Sequence, residues 1–208
     1  MKDRYGREID YLRISITDRC NLRCIYCMPE EGICQTAHKE ILTYDEIRRI
    51  CRCMTALGIK KIKLTGGEPL TRKDSAVLVR MLKELPGIEK VTLTTNGILL
   101  KEQMAELAEA GIDNINISLD TLNTEAFQKI TRREGLTRVL EGLKEAMKYP
   151  QIGLKINCVP VLEDPENLIN LAGIARDNPI HVRFIEMMPI GYGKEFRFCG
   201  EDEICSVL

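Results

Sequence analysis

The sequence predicts an α/β fold, an incomplete (β/α)6 barrel of TIM type whose strands run parallel. Three observations predict it. Six short apolar or alternating runs recur along the 208 residues, with helical patterns between them. Capping residues and glycines fall where those helices should begin and end. Polar residues alternate with apolar ones inside the strands, whereas a closed eight-stranded barrel fills its interior with apolar side chains.

In chain order, strands are expected over Leu12–Thr17, Lys60–Leu64, Lys90–Thr94, Asn114–Leu119, Gly153–Val159 and His181–Ile185. Helices are expected near Thr43–Leu57, Asp74–Glu84, Lys101–Ala110, Thr124–Met147 (broken near Gly135) and Glu166–Arg176. Thr43 followed by Glu46 reads as a capping box, in which each side chain satisfies a free backbone N–H of the other. Gly58 and Gly111 stand where helices should end, because glycine takes the left-handed conformation without a Cβ clash. Strands joined by helices pair in parallel through right-handed crossovers. No low-complexity run or linker divides the chain, so residues 1–188 read as one partial barrel and 189–208 as the start of a C-terminal region.

Parallel strands covered on both faces read as nearly continuous apolar runs. These alternate instead. Arg13, Ser15 and Thr17 alternate with Leu12, Ile14 and Ile16; Lys61 and Lys63 with Ile62 and Leu64; Thr92 and Thr94 with Val91 and Leu93. Asn114, Asn116 and Ser118 alternate with Ile115, Ile117 and Leu119, and Lys155 and Asn157 with Leu154 and Ile156. One face packs under helices, so the polar face lines a concave, wet interior. An antiparallel sheet with one face in water would alternate too, but the helices between the strands argue against it. Arg13, Lys63, Lys155 and Arg183 would carry positive charge inward from different strands. Long cations are seldom buried alone, so an anionic ligand is expected there, with Asp120 or Glu186 as the alternative partners.

The composition, 44% hydrophobic with a net charge of −1, suits a soluble domain and offers no general attraction to nucleic acid. No apolar run approaches a membrane span, and Met1 to Glu8 lack the apolar core of a signal peptide, so no membrane partner is expected and the cytoplasm is the expected compartment. Nine cysteines in such a chain point to thiols and ligands rather than disulfides. Cys51, Cys53 and Cys158 fall inside expected helix or strand and read as packing, while Cys34, Cys199 and Cys205 have no partner at ligand spacing. With only His38 and His181 present, histidine acid–base catalysis is not the centrepiece.

Cys20, Cys24 and Cys27 stand in Asp18-Arg19-Cys20-Asn21-Leu22-Arg23-Cys24-Ile25-Tyr26-Cys27. Cysteines two to four residues apart can converge on neighbouring corners of an iron–sulfur cube. Three thiolates leave a four-iron cluster with one open iron, which makes a reaction centre rather than a wire. Zinc is the alternative, with Cys34 or His38 completing a tetrahedral site.

After the second expected strand comes Leu64-Thr65-Gly66-Gly67-Glu68-Pro69-Leu70. A glycine pair at a strand end admits close approach to backbone groups, and strand C-termini form the active face of barrel enzymes. The CxxxCxxC loop after one strand and Gly-Gly-Glu-Pro after the next together resemble the radical S-adenosylmethionine (SAM) enzymes. The run from Leu12 through Cys20-Asn21-Leu22-Arg23-Cys24-Ile25-Tyr26-Cys27-Met28-Pro29 further resembles the first strand and cluster loop of the GTP 3',8-cyclase family of molybdenum cofactor biosynthesis. Leu93-Thr94-Thr95-Asn96-Gly97, Asn116-Ile117-Ser118-Leu119-Asp120 and Arg183-Phe184-Ile185-Glu186-Met187-Met188 are similar to its later strand motifs, so the resemblance covers essentially the whole chain.

That resemblance implies a radical SAM core in which Cys20, Cys24 and Cys27 ligate a [4Fe–4S] cluster. It implies that Tyr26, Gly67, Ser118 and Met188 contact SAM. Arg13, Lys63, Thr94 and Lys155 would contact GTP, with Arg183 in the same pocket. The implied reaction splits SAM to a 5'-deoxyadenosyl radical that removes hydrogen from C3' of GTP. The ribose carbon then attacks C8 to give (8S)-3',8-cyclo-7,8-dihydroguanosine 5'-triphosphate. Implied partners are an electron donor such as flavodoxin or ferredoxin and the next enzyme of the molybdopterin pathway; a homodimer is left open, since the sequence does not report oligomeric state. The family carries a second [4Fe–4S] cluster on three cysteines of a C-terminal portion, whose spacing Cys199 and Cys205 do not match; this chain is therefore expected to be an N-terminal portion, with its activity alone in question. The rivals are a peptide-modifying maturase of the same superfamily, whose cavity needs fewer cations, and a zinc-binding module.

Overall fold

The computed structural model describes residues 2–161, 164–197 and 199–208. Its six parallel strands form one sheet in sequence order: β1 (Tyr11–Ser15), β2 (Lys61–Thr65), β3 (Lys90–Thr95), β4 (Asn114–Ser118), β5 (Gly153–Cys158) and β6 (Ile180–Phe184). Each strand begins and ends within about two residues of its expected position, the usual scatter of element boundaries. Neighbours that follow chain order without a skip make a barrel wall rather than a doubly wound sheet. β1 and β6 remain at the two edges, so the barrel is incomplete, as expected.

Between the strands run α1 (Tyr44–Ala56), α2 (Ser75–Lys83), α3 (Leu100–Glu109), α4 (Thr124–Thr131), α5 (Leu136–Ala146) and α6 (Pro165–Asp177). The capping box is formed, with Glu46 N donating to Thr43 Oγ1 and Thr43 N to Glu46 Oε2. Gly58 and Gly111 both take positive φ at the ends of α1 and α3. The break between α4 and α5 is made by Arg132, left-handed at φ 54°, and by Gly135 at φ 144°. A last helix, α7 (Glu201–Val207), packs on α6 and was not foreseen from the sequence.

Strand parity divides the two faces. Ile62, Leu64, Val91, Leu93, Ile115, Ile117 and Ile156 are fully buried against Leu78, Leu82, Leu100, Met104, Leu107 and Val139 of the helices. Burying each such side chain contributes about 1.5–3 kcal/mol. The intervening residues face the other way, in staggered rows: Arg13 pairs with Lys63, Lys63 with Thr92, and Thr92 with Asn114. The next row joins Thr94, Asn116 and Lys155, and the next Ser118, Asn157 and Arg183. One cysteine expectation needs correction. Cys51 and Cys158 are buried but Cys53 is exposed, because two helical residues turn about 200° and so face opposite ways.

Candidate functional site

Arg13, Lys63, Lys155 and Arg183, carried by four different strands, surround one open cavity of about 360 Å³, which Tyr11, Lys61, Lys90, Thr92, Asn114 and Asn116 complete. Neighbouring Lys61 is held by Asp10 at 2.7 Å, but none of the four forms an ion pair among the described residues. Asp120 and Glu186, the alternative partners, are engaged elsewhere: Asp120 accepts from Tyr26 Oη and Val159 N, and Glu186 from Glu201 N. Burial, then the charges of Arg13, Arg183 and Lys155, hold the Lys63 ammonium below its ordinary pKa. Unpaired like charges gathered on a partly buried face are repulsive until an anion enters. Thr94 shares this face, in register with Asn116.

Cys20, Cys24 and Cys27 lie on the loop leaving β1, all as free thiols. Several elements brace that loop. Arg23 N and Ile25 N donate to Thr131 O and Ile130 O, each at 2.9 Å. Arg132 Nη1 donates to Arg23 O at 3.1 Å and Met28 O at 3.0 Å, and Tyr26 Oη donates to Asp120 Oδ2 at 2.7 Å. On the β2 side, Gly67 N and Glu68 N donate to Thr17 O and Arg19 O, both at 2.7 Å. A Cβ on Gly66 would collide with Thr17 O, and one on Gly67 with the backbone of Asp18 and Arg19. The glycine pair is thus demanded by chain packing on chain, besides any ligand approach.

Behind the turn lies Glu68, 1% exposed. It accepts from Thr95 Oγ1 at 2.7 Å, Asn96 N at 2.6 Å and Leu70 N at 3.0 Å. Burial raises its carboxyl above the usual range, while these donors oppose the rise. Asn96 Nδ2 donates to Asn21 Oδ1 at 2.7 Å and lies 3.9 Å from Cys20 Sγ, which Leu22 N also approaches at 3.4 Å. Glu68, Asn96 and Asn21 were not singled out from the sequence; the Thr-Thr-Asn-Gly run at a strand end was the available signal.

The remaining expected residues are more dispersed. Tyr26 and Ser118 line a small cavity of about 30 Å³ with Cys24, Asn96 and Asp120 at the C-terminal ends of the strands. It has room for water and not for a nucleoside. The Tyr26 hydroxyl is taken by Asp120, whose carboxyl burial pushes up to about 6, while the Ser118 hydroxyl makes no hydrogen bond among the described residues, although a strand hydroxyl often finds a backbone acceptor. Gly67 is exposed beside the cysteine loop. Met188, 63% exposed after β6, lines neither cavity.

The donor set fits an iron–sulfur group. Burial raises all three thiols, Cys24 to about 12 with added repulsion from Asp120 and the other two cysteines, so an electron-poor metal group is what would draw the protons off. Among the described residues no three His, Cys, Asp or Glu side chains are gathered closely enough to hold a single metal ion. Thiolates on a cube's corners stand farther apart than ligands on one ion.

A sequence profile of the radical SAM superfamily matches residues 14–173. GTP 3',8-cyclase of Clostridium perfringens (strain 13) is 46% identical over 210 residues, covering 100% of this chain and 64% of the relative. That of Peptoclostridium acidaminophilum is 48% identical over 208 residues, covering 97% and 64%. The chain thus spans a little under two thirds of the length of these relatives. Streptococcus suis SuiB bound to S-adenosylmethionine shares the fold at TM-score 0.68 and 25% identity, over 84% of this chain and 38% of that one. With the profile running from β1 into α6 and the three-thiol loop at the end of β1, the chain belongs to the radical SAM superfamily, whose members work with a [4Fe–4S] cluster and S-adenosylmethionine.

Proposed function

We propose that this chain is the cluster- and nucleotide-binding core of a GTP 3',8-cyclase acting in molybdenum cofactor biosynthesis. The observation that carries the proposal is the set of four cations, unpaired among the described residues, around one cavity on the inner face of a radical SAM wall. Relatives of that name, 46–48% identical, support it. In this reading Cys20, Cys24 and Cys27 hold the cluster, and Tyr26, Gly67, Ser118 and Met188 face SAM. When bound, the cluster and SAM supply one-electron chemistry that generates a hydrogen-abstracting radical.

The chain's own residues supply position and charge. Arg13 and Arg183 offer planar forks suited to phosphate oxygens, while Lys63 and Lys155 act as point charges. Thr94 adds a hydroxyl from the neighbouring strand. Anchored by its triphosphate, the nucleotide keeps one ribose face toward the strand ends where the cysteine loop sits. Orientation of this kind is worth roughly 7–11 kcal/mol in well-aligned model reactions. The same reading makes a flavodoxin- or ferredoxin-type protein the electron donor and the next molybdopterin enzyme the recipient of product. It assigns the second cluster to the part of the relatives this chain does not span.

The test is anaerobic reconstitution followed by iron, sulfide and GTP-binding measurements on wild type, Lys155→Met and Arg13→Ala. Bound iron and sulfide with GTP affinity falling at least tenfold in each variant is expected, about 1.4 kcal/mol for one lost phosphate contact. Equal, weak GTP binding by all three proteins sinks the nucleotide assignment. Iron-free, zinc-bound protein sinks the cluster. A peptide substrate is the second reading, since SuiB bound to its precursor peptide SuiA shares the fold at TM-score 0.71, but a cavity crowded with cations favours a polyanion.

A further inference from the structure

The three cysteines are not equivalent. Cys20 Sγ is approached by two N–H donors, the Leu22 backbone at 3.4 Å and the Asn96 side chain at 3.9 Å. At Cys24 the neighbouring donor is instead the Tyr26 hydroxyl, which it shares with Asp120 at 2.7 Å. Asn96, half-buried directly after β3, is also closely constrained. Its N–H is held by buried Glu68 at 2.6 Å, its Oδ1 accepts from Ile98 N at 3.1 Å, and one Nδ2 hydrogen is fixed on Asn21 Oδ1 at 2.7 Å. With three of its groups pinned, the second Nδ2 hydrogen is left directed at the sulfur. The Glu68 carboxylate that fixes Asn96 is itself fixed by Thr95 and Leu70.

On the reading that Cys20, Cys24 and Cys27 hold the cluster, we propose that Asn96 is a positioning residue that raises the cluster's reduction potential by donating a hydrogen bond to Cys20 Sγ. Reduction adds negative charge that spreads onto the cysteine sulfurs. A donor at a sulfur stabilises the reduced form more than the oxidised one, and hydrogen bonding to the sulfurs is a main determinant of such potentials. Through this bond the Gly-Gly-Glu turn after β2 and the Thr-Thr-Asn-Gly end of β3 act on the metal group without ligating it.

The experiment is a redox titration of the anaerobically reconstituted chain, read by the EPR signal of the reduced cluster, for wild type, Asn96→Leu and Asn96→Asp. Leucine removes the donor at similar volume, and aspartate removes it while adding negative charge. At a poise that half-reduces the wild-type cluster, Asn96→Leu is expected to show a reduced-to-oxidised ratio lower by roughly three- to tenfold, the net scale of one ordinary hydrogen bond. Asn96→Asp should fall lower still. Thr95→Val, which loosens Glu68 but keeps the amide, should stay nearer wild type than either. Loaded variants with the wild-type potential overturn the proposal. So does loss of the cluster from both variants with the fold intact by circular dichroism, since the role would then be assembly alone. A wild-type chain that takes up no iron refutes the cluster reading itself, a separate result.

Discussion

At Gly66 a single methyl group has nowhere to go. The carbonyl of Thr17 fills the place a Cβ would take, and the atoms in the way are backbone, which cannot rotate aside. Gly67 meets the same obstacle from Asp18 and Arg19. The turn after β2 and the loop after β1 are therefore fitted to each other through hydrogen bonds of 2.7 Å that any side chain would pry apart. Gly66→Ala is expected to cost about 1–3 kcal/mol, as overpacking against immovable atoms does. It should lower the urea midpoint at unchanged slope. A midpoint equal to wild type would mean the two loops can separate without loss. Because Gly66 carries no side-chain contact to give up, that measurement isolates the fit of backbone on backbone.

Among the elements, the gap between α4 and α5 does more than end a helix. Arg132 takes a left-handed conformation that costs a non-glycine residue on the order of 1 kcal/mol. From there its guanidinium reaches Arg23 O and Met28 O and brackets the cysteine loop. Arg132→Gly would relieve the backbone while releasing the loop. The two effects oppose each other, so global stability should change by less than about 1 kcal/mol. Hydrogen exchange at residues 20–28 should accelerate; exchange identical to wild type would deny Arg132 its bracing role. Such a brace shows where sequence reading stops. The break near Gly135, the capping box at Thr43 and the strand parity are all local patterns, and they were legible. Tyr26 meets Asp120 across 94 residues and Asn96 meets Cys20 across 76. Partners of that kind depend on register and loop path, and no periodicity reports those. The cation cavity lies between these cases: parity named Arg13, Lys63, Lys155 and Arg183, while only the assembled wall shows that these four have no carboxylate partner among the described residues.

Over the whole molecule, 30 basic and 31 acidic residues nearly cancel, yet the inner face of the sheet is cationic. That separation has a consequence for protons. The Lys63 pKa is depressed in the folded chain by burial and by Arg13, Arg183 and Lys155, so the unfolded chain holds that proton more tightly than the folded one. Stability attributable to this group therefore rises as pH climbs through the depressed value toward the ordinary lysine value of about 10.4. An anion in the cavity reverses the depression, because opposite charge favours the ammonium. Within that alkaline window GTP or inorganic triphosphate should bind with uptake of a fraction of a proton, whereas near pH 7 uptake should vanish. Calorimetry in buffers of different ionisation heat measures this directly. Lys63→Met should bind more weakly and take up no proton, while Lys61→Met, whose ammonium is already paired with Asp10, should retain the uptake. Uptake that is absent in wild type, or undiminished in Lys63→Met, would show that the charge on this face is neutralised by something other than a bound polyanion.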